Sequence, residues 1–135
     1  MVDTVGLRIA RSAACLHAMS YLLLILEPPE QRRTRSEAEG RAVYGRMLEF
    51  GQGLKERGLL VASESLKSHA DAARVRVRGG RPQVVDGPFA EAKEMVGGFF
   101  LLDCRSRDEA LAIAAQCPAA EWATVEVREV GPCWR

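Results

Sequence analysis

Between Val84 and Asp103 the chain reads VVDGPFAEAKEMVGGFFLLD, and within it Asp86, Glu91 and Glu94 place three carboxylates around the ammonium of Lys93. Carboxyl groups this close, with a cation among them, shift one another's proton affinities, which is what general acid and base catalysis requires. An aspartate opening a turn normally accepts from the N–H two residues on, but that residue is Pro88, which has none. Asp86 is left to cap the N–H of Phe89 or Ala90, with Pro88 starting a single helical turn through FAEAKE. On the chemical reading, Asp86 and Glu91 are the acid and base, and Lys93 and Glu94 stand on the rim of a pocket. On the plainer reading Asp86 is only a cap, Phe89 a core anchor, and the charged residues a solvated turn. The three carboxylates also offer oxygen ligands to a magnesium-like ion, but Lys93 in their midst argues against a metal, and no cofactor is expected.

Other polar residues extend the candidate site. Arg74, Arg76 and Arg78 fall on one face of an alternating run, where they could meet phosphate or carboxylate, although such a row is more often the wet face of a hairpin. Glu64 in SESL and Arg128 in VEVREV alternate with apolar neighbours, so each could point into a sheet-lined cavity and need the other as partner. Arg128 and Lys93 would hold an anionic group, and Tyr21 or Tyr44 could donate a hydrogen bond. His17 lies near the N-terminus, and His69 sits in a polar stretch beside Asp71, where an exposed side chain is the default expectation.

These residues must be positioned by a small set of elements. SYLLLILEP (20–28) reads as a strand buried on both faces and closed by Pro28-Pro29, and the charged EQRRTR after it reads as a loop. Ser36 and Glu39 form a capping box opening a helix whose apolar face carries Val43, Met47, Phe50 and Leu54, ended by Gly58. LLVASESL (59–66) is a second strand. RVRVRGGRPQVVD is a hairpin turning at Gly79-Gly80. MVGGFFLLDC (95–104) is a strand whose paired glycines allow a bulge or a close backbone approach. Ser106 and Glu109 form a second capping box, for an alanine-rich helix that Pro118 terminates, and TVEVREV (124–130) is the last strand. This order predicts an α+β sandwich of ferredoxin-like type with an inserted β-hairpin. Two of its strands are apolar on both faces while both helices must lie on one side. A homodimer packing sheet on sheet is therefore expected.

Composition narrows the partners. The chain of 135 residues fits one domain, and 19 basic against 18 acidic side chains leave a formal net charge of +1. No global field favours nucleic acid or an anionic membrane. Cys15, Cys104, Cys117 and Cys133 show no C-x-x-C spacing, so zinc is not expected, and free thiols in a reducing, cytoplasmic setting are. Residues 1–18 lack the continuous apolar core of a secretory signal and read as a leader or loose tail before a domain at 19–135, with Met19 an alternative start.

YLLLILEP, RGLLVASESL, RVRVRGGRPQVVDGPFAEAKEMVGGFFLLD, EALAIAAQCPAA and TVEVREV together resemble the YCII-related family, in its branch marked by the Asp-Gly-Pro-Phe motif. The resemblance implies a ferredoxin-like fold assembling as a dimeric α+β barrel, and small-molecule enzymes among members of the wider family; the ionisable groups clustered around the Gly-Pro turn point to a small polar organic molecule bound or transformed in a cleft between the sheet and that turn. Some members of the wider family use a histidine on the first helix with an aspartate at its end. The comparable VYGRMLEFGQGLKERG here has no histidine. The resemblance also implies, as an alternative, a non-catalytic regulatory module partnering an extracytoplasmic-function sigma factor.

Overall fold

The computed structural model describes residues 19–135. The leader expected at 1–18, with His17 and Cys15, lies outside the described residues. Strand β1 (Met19–Glu27) buries Tyr21, Leu23, Ile25 and Glu27 on one face and half-buries Leu22, Leu24 and Leu26 on the other. Pro28-Pro29 ends it. Where a loop was expected, a short helix α1 (Glu30–Thr34) follows. Pro29 has helical dihedrals at its N-cap and Glu30 sits in its first turn, so backbone geometry starts a helix that shows no apolar periodicity.

Helix α2 (Glu37–Glu56) opens with the expected capping box: the Ser36 hydroxyl accepts from the Glu39 N–H at 3.1 Å, and the Glu39 carboxylate accepts from the Ser36 N–H at 2.8 Å. It ends at Arg57, followed by Gly58 at φ +71°, a dihedral that favours glycine. Its expected face divides: Met47, Phe50 and Leu54 join the core, with Phe50 edge-on to Phe100 at 5.2 Å, while Val43 faces a cavity.

After β2 (Leu60–Ser65), strands β3 (Ala73–Arg78) and β4 (Arg81–Asp86) form the predicted hairpin, with Gly79 and Gly80 both at positive φ as a two-residue turn requires. All its residues are exposed, including Val75 at 66% and Val84 at 63%. Strand β5 (Met95–Cys104) leads to helix α3 (Arg107–Gln116). Ser106 caps α3, but Glu109 reaches back to the N–H of Arg105 rather than of Ser106, so the second capping box closes one residue early. Strand β6 (Thr124–Glu129) is the last of the described strands.

The sheet order is β2-β5-β1-β6 with antiparallel neighbours, and the hairpin forms its own two-stranded sheet. With α2 between β1 and β2, and α3 between β5 and β6, this α+β arrangement is compatible with a ferredoxin-like unit carrying an inserted hairpin. Leu54 of α2 and Ala110 and Ile113 of α3 pack with Tyr21, Leu23, Phe100 and Leu102, so both helices lie on one face. Burying a side chain such as Leu23 or Leu102 there stabilises by about 2 kcal/mol. The other face carries Leu22, Leu24 and Leu26 opposite Leu101, Phe99 and Val96, and no described helix covers it. Ile25 pairs with Gly98 and Leu26 with Val96, which leaves Gly97 as a bulge. Among the described residues no helix is long and apolar enough to cross a membrane.

Candidate functional site

A cavity of about 790 Å³ lies between α2 and the helix-bearing face of the sheet, within the usual range for small-molecule sites. Its helical wall includes Gly40 and Gly51, each of which withholds a side chain. A Cβ on Gly40 would meet nothing within 4 Å, so neither packing nor dihedral strain calls for glycine there. Glycine inside a helix costs about 1 kcal/mol relative to alanine, and the return at this position is open space.

The end of β1 brings an acid into the cavity wall. Glu27 keeps the parity of Tyr21, Leu23 and Ile25, faces the helices and is 5% exposed. A buried carboxylate needs a partner, and α1 supplies Arg32. Its Nε and Nη2 both donate to Oε1 of Glu27, at 3.1 and 2.5 Å. Nη1 donates to the Leu66 carbonyl at 2.6 Å and Nη2 to the Gly97 carbonyl at 3.2 Å. Gly97 fits because a Cβ there would overlap Glu27 Oε1 and stand 2.8 Å from Arg32 Nη2.

The Asp-Gly-Pro-Phe segment is built around Phe89, which is 7% exposed. Its N–H donates to Nδ1 of His69 at 3.4 Å, and the two rings meet edge to face at 5.7 Å. The Arg74 guanidinium lies 3.7 Å from the Phe89 ring centre and 3.6 Å from Glu91. His69 also donates its backbone N–H to Sδ of Met95, while Gly87 donates to the Ala72 carbonyl at 2.7 Å. A Cβ on Gly87 would overlap the His69 carbonyl oxygen. The cap expected from Asp86 is thus supplied to Phe89 by His69, and the helical turn reduces to one turn closed by the Ala92 N–H on the Phe89 carbonyl. His69 is half-buried, where an exposed residue was expected.

The nine predicted site residues fall in separate places. Tyr44 and Glu64 border the cavity. Asp86, Glu91, Lys93 and Glu94 are exposed on the Asp-Gly-Pro-Phe turn and do not line it, and the side chains of Asp86, Lys93 and Glu94 make no hydrogen bond or ion pair with another described residue. Among the described residues no three His, Cys, Asp or Glu side chains gather in a metal-like cluster. Arg76 donates to Gln83 at 2.6 Å on the exposed hairpin. Tyr21 is buried in the core, where burial first, and Glu129 second, push its phenol up. The expected pairing of Glu64 with Arg128 does not occur within the chain. They sit on β2 and β6, opposite edges of the sheet and three strand spacings, roughly 14 Å, apart. Arg128 instead lies 3.9 Å from Glu126.

Sequence reasoning missed Glu27, Arg32 and His69. For Glu27 a signal existed, since it ends an apolar run in phase with the residues that face the core. Arg32 and His69 have no such signal, because their partners come from distant parts of the chain.

Residues 19–133 match the YCII-related domain model. An uncharacterized protein of Rhizobium meliloti (strain 1021) is 35% identical over 96 residues, which are 71% of this chain and 77% of that relative.

Proposed function

This chain belongs to the YCII-related family, and from that premise we propose that it binds, and in the fullest form of the reading transforms, a small polar organic molecule. The observation that carries the proposal is the 790 Å³ cavity with a buried, ion-paired carboxylate in its wall and glycines opening its helical side. The Asp86-Gly87-Pro88-Phe89 run supports placement in the motif-marked branch. Asp86 and Glu91 are the proposed proton-transfer pair of this chain, and because neither lines the cavity within one chain, this part of the proposal requires a second subunit or the ligand itself to bridge cavity and turn. A thermal-shift screen against a metabolite panel, run beside Gly40→Leu, tests the reading. A hit that stabilises the parent and not the filled variant supports it, and a panel without hits counts against it.

The apolar, helix-free face of the sheet supports a homodimer closed sheet to sheet as an α+β barrel. Light scattering on the purified protein tests this, and a stable monomer rejects it. The free thiols of Cys104 and Cys117 fit a cytoplasmic setting.

A second reading, a non-catalytic module partnering a sigma factor, draws on the exposed hairpin. Val75, Val77, Val84 and Pro82 oppose one another on one of its faces. A pull-down from the native host that recovers no regulator counts against it.

A further inference from the structure

We infer that the small molecule the cavity selects has a polar head that donates a hydrogen bond, an amine or a hydroxyl, resting on Oε2 of Glu27, and a ring-sized apolar body behind it. This rests on the cavity being a ligand site. Both hydrogen bonds from Arg32 enter Glu27 through Oε1, and Oε2 accepts none from any described residue, although the side chain is more than nine-tenths buried and lines the cavity. A buried carboxylate oxygen without a donor is costly, and a ligand N–H or O–H removes that cost.

The walls around it divide by chemistry. Ser63 and Ser65 pair with Phe100 and Gly98 on the helix-bearing face, and both border the cavity. Their hydroxyls can accept a second hydrogen from an amine head. Val43, Met47, Phe100 and Trp122 supply apolar surface for the body of the molecule. An anionic head is disfavoured at this end, because the Arg32 guanidinium already makes four hydrogen bonds, to Glu27, Leu66 and Gly97. A second carboxylate at this end would face Glu27 with little of Arg32's donor capacity left over, and an anion that binds instead beside Arg35, Arg41 or Lys55, which also line the cavity, is what the carboxylate probe detects.

The test uses the full chain, ¹⁵N-labelled, and four matched probes: 2-phenylethylamine, 2-phenylethanol, ethylbenzene and 3-phenylpropanoate. A hydrogen bond to a charged acceptor predicts at least about a tenfold preference for the amine and the alcohol over ethylbenzene. Their amide shifts should centre on Gly97, Gly98 and Ser65. Equal affinities for all four, abolished by Gly40→Leu, leave the cavity as a ligand site and overturn the donor inference. Tightest binding by 3-phenylpropanoate overturns it too. Absence of binding by every probe, or binding indifferent to Gly40→Leu, removes the cavity reading and the inference together. Because Glu27→Gln alone strands Arg32, the variant used is the double Glu27→Met, Arg32→Met. It should keep ethylbenzene binding and lose the preference, and a folded double variant that retains the preference overturns the assignment to Glu27.

Discussion

The carboxylate of Glu27 fills the volume that a Cβ on Gly97 would need, so the last residue of β1 and the bulge of β5 are fitted to each other. The fit depends on the absence of one carbon atom. It also contrasts with Gly40, where the same carbon would enter open space.

Gly97→Ala is therefore expected to destabilise by about 3 kcal/mol or more, since the overlapped atoms belong to a buried ion pair that cannot swing away. Gly40→Ala should stabilise by about 1 kcal/mol through helix propensity alone. Urea denaturation of the two variants checks both signs, and equal effects would remove the argument.

Removing one partner of the buried pair leaves the other uncompensated. Arg32→Met is expected to cost about 3 kcal/mol, whereas Glu27→Met, Arg32→Met together should cost much less than the sum of the single changes. A double-mutant cycle by chemical denaturation reads the coupling, and additive effects would show that the pair is not a unit.

Phe89 anchors the Asp-Gly-Pro-Phe turn. Phe89→Ala should cost about 3 kcal/mol, and His69→Ala about 1 kcal/mol, because the second removes an acceptor from one N–H and an edge contact but leaves the ring buried. If His69→Ala were the more damaging, His69 would have to do more than hold this turn.

Two exposed carboxyls contribute a small, acid-labile share of the stability. The Ser36 backbone N–H holds Glu39 low, and hydrogen bonds from Arg46 hold Glu121 low. A folded value below the unfolded one gives stability that is present above about pH 4.3 and is lost as pH falls through the folded value. Glu39→Gln and Glu121→Gln should each be slightly less stable than the parent at pH 7 and converge with it in acid. A difference that persists below both folded values would point to packing instead of charge.

Burial pushes the thiols of Cys104 and Cys117 up, and Cys133 is exposed. Among the described cysteines, pulsed alkylation at pH 8 with peptide mapping should label Cys133 before Cys104 and Cys117, which react only on unfolding. Early labelling of Cys117 would contradict its place in the core.

What the sequence made legible was what short-range chemistry decides. Gly79-Gly80 announced its hairpin, Ser36 with Glu39 announced the start of α2, and Gly97-Gly98 announced a bulge or a close backbone approach, of which the register of β5 shows the first. Helix α1 was missed because five residues beginning at a proline pair carry no periodicity. The candidate site was legible only in fragments. Tyr44 and Glu64 border the cavity, but nothing in a run of charges tells which arginine will cross to Glu27. The acidic turn drew attention by its density of ionisable groups, while the cavity gains room at Gly40, whose contribution is space.

The bulge in β5 has one more effect. Gly98 opposite Ile25, Val96 opposite Leu26 and Met95 opposite Glu27 keep the phase they would have if Gly97 were missing, so the insertion leaves every neighbouring side chain on its own side. What it adds is a main-chain oxygen outside the ladder, and that oxygen accepts from both the Leu66 N–H and Arg32 Nη2. The extra residue therefore works as a ligand made of backbone. It adds a main-chain acceptor to the Glu27 carboxylate and the Leu66 carbonyl that already hold the guanidinium, and a chain shortened by this one glycine would keep its pleat and lose that one hydrogen bond to Arg32.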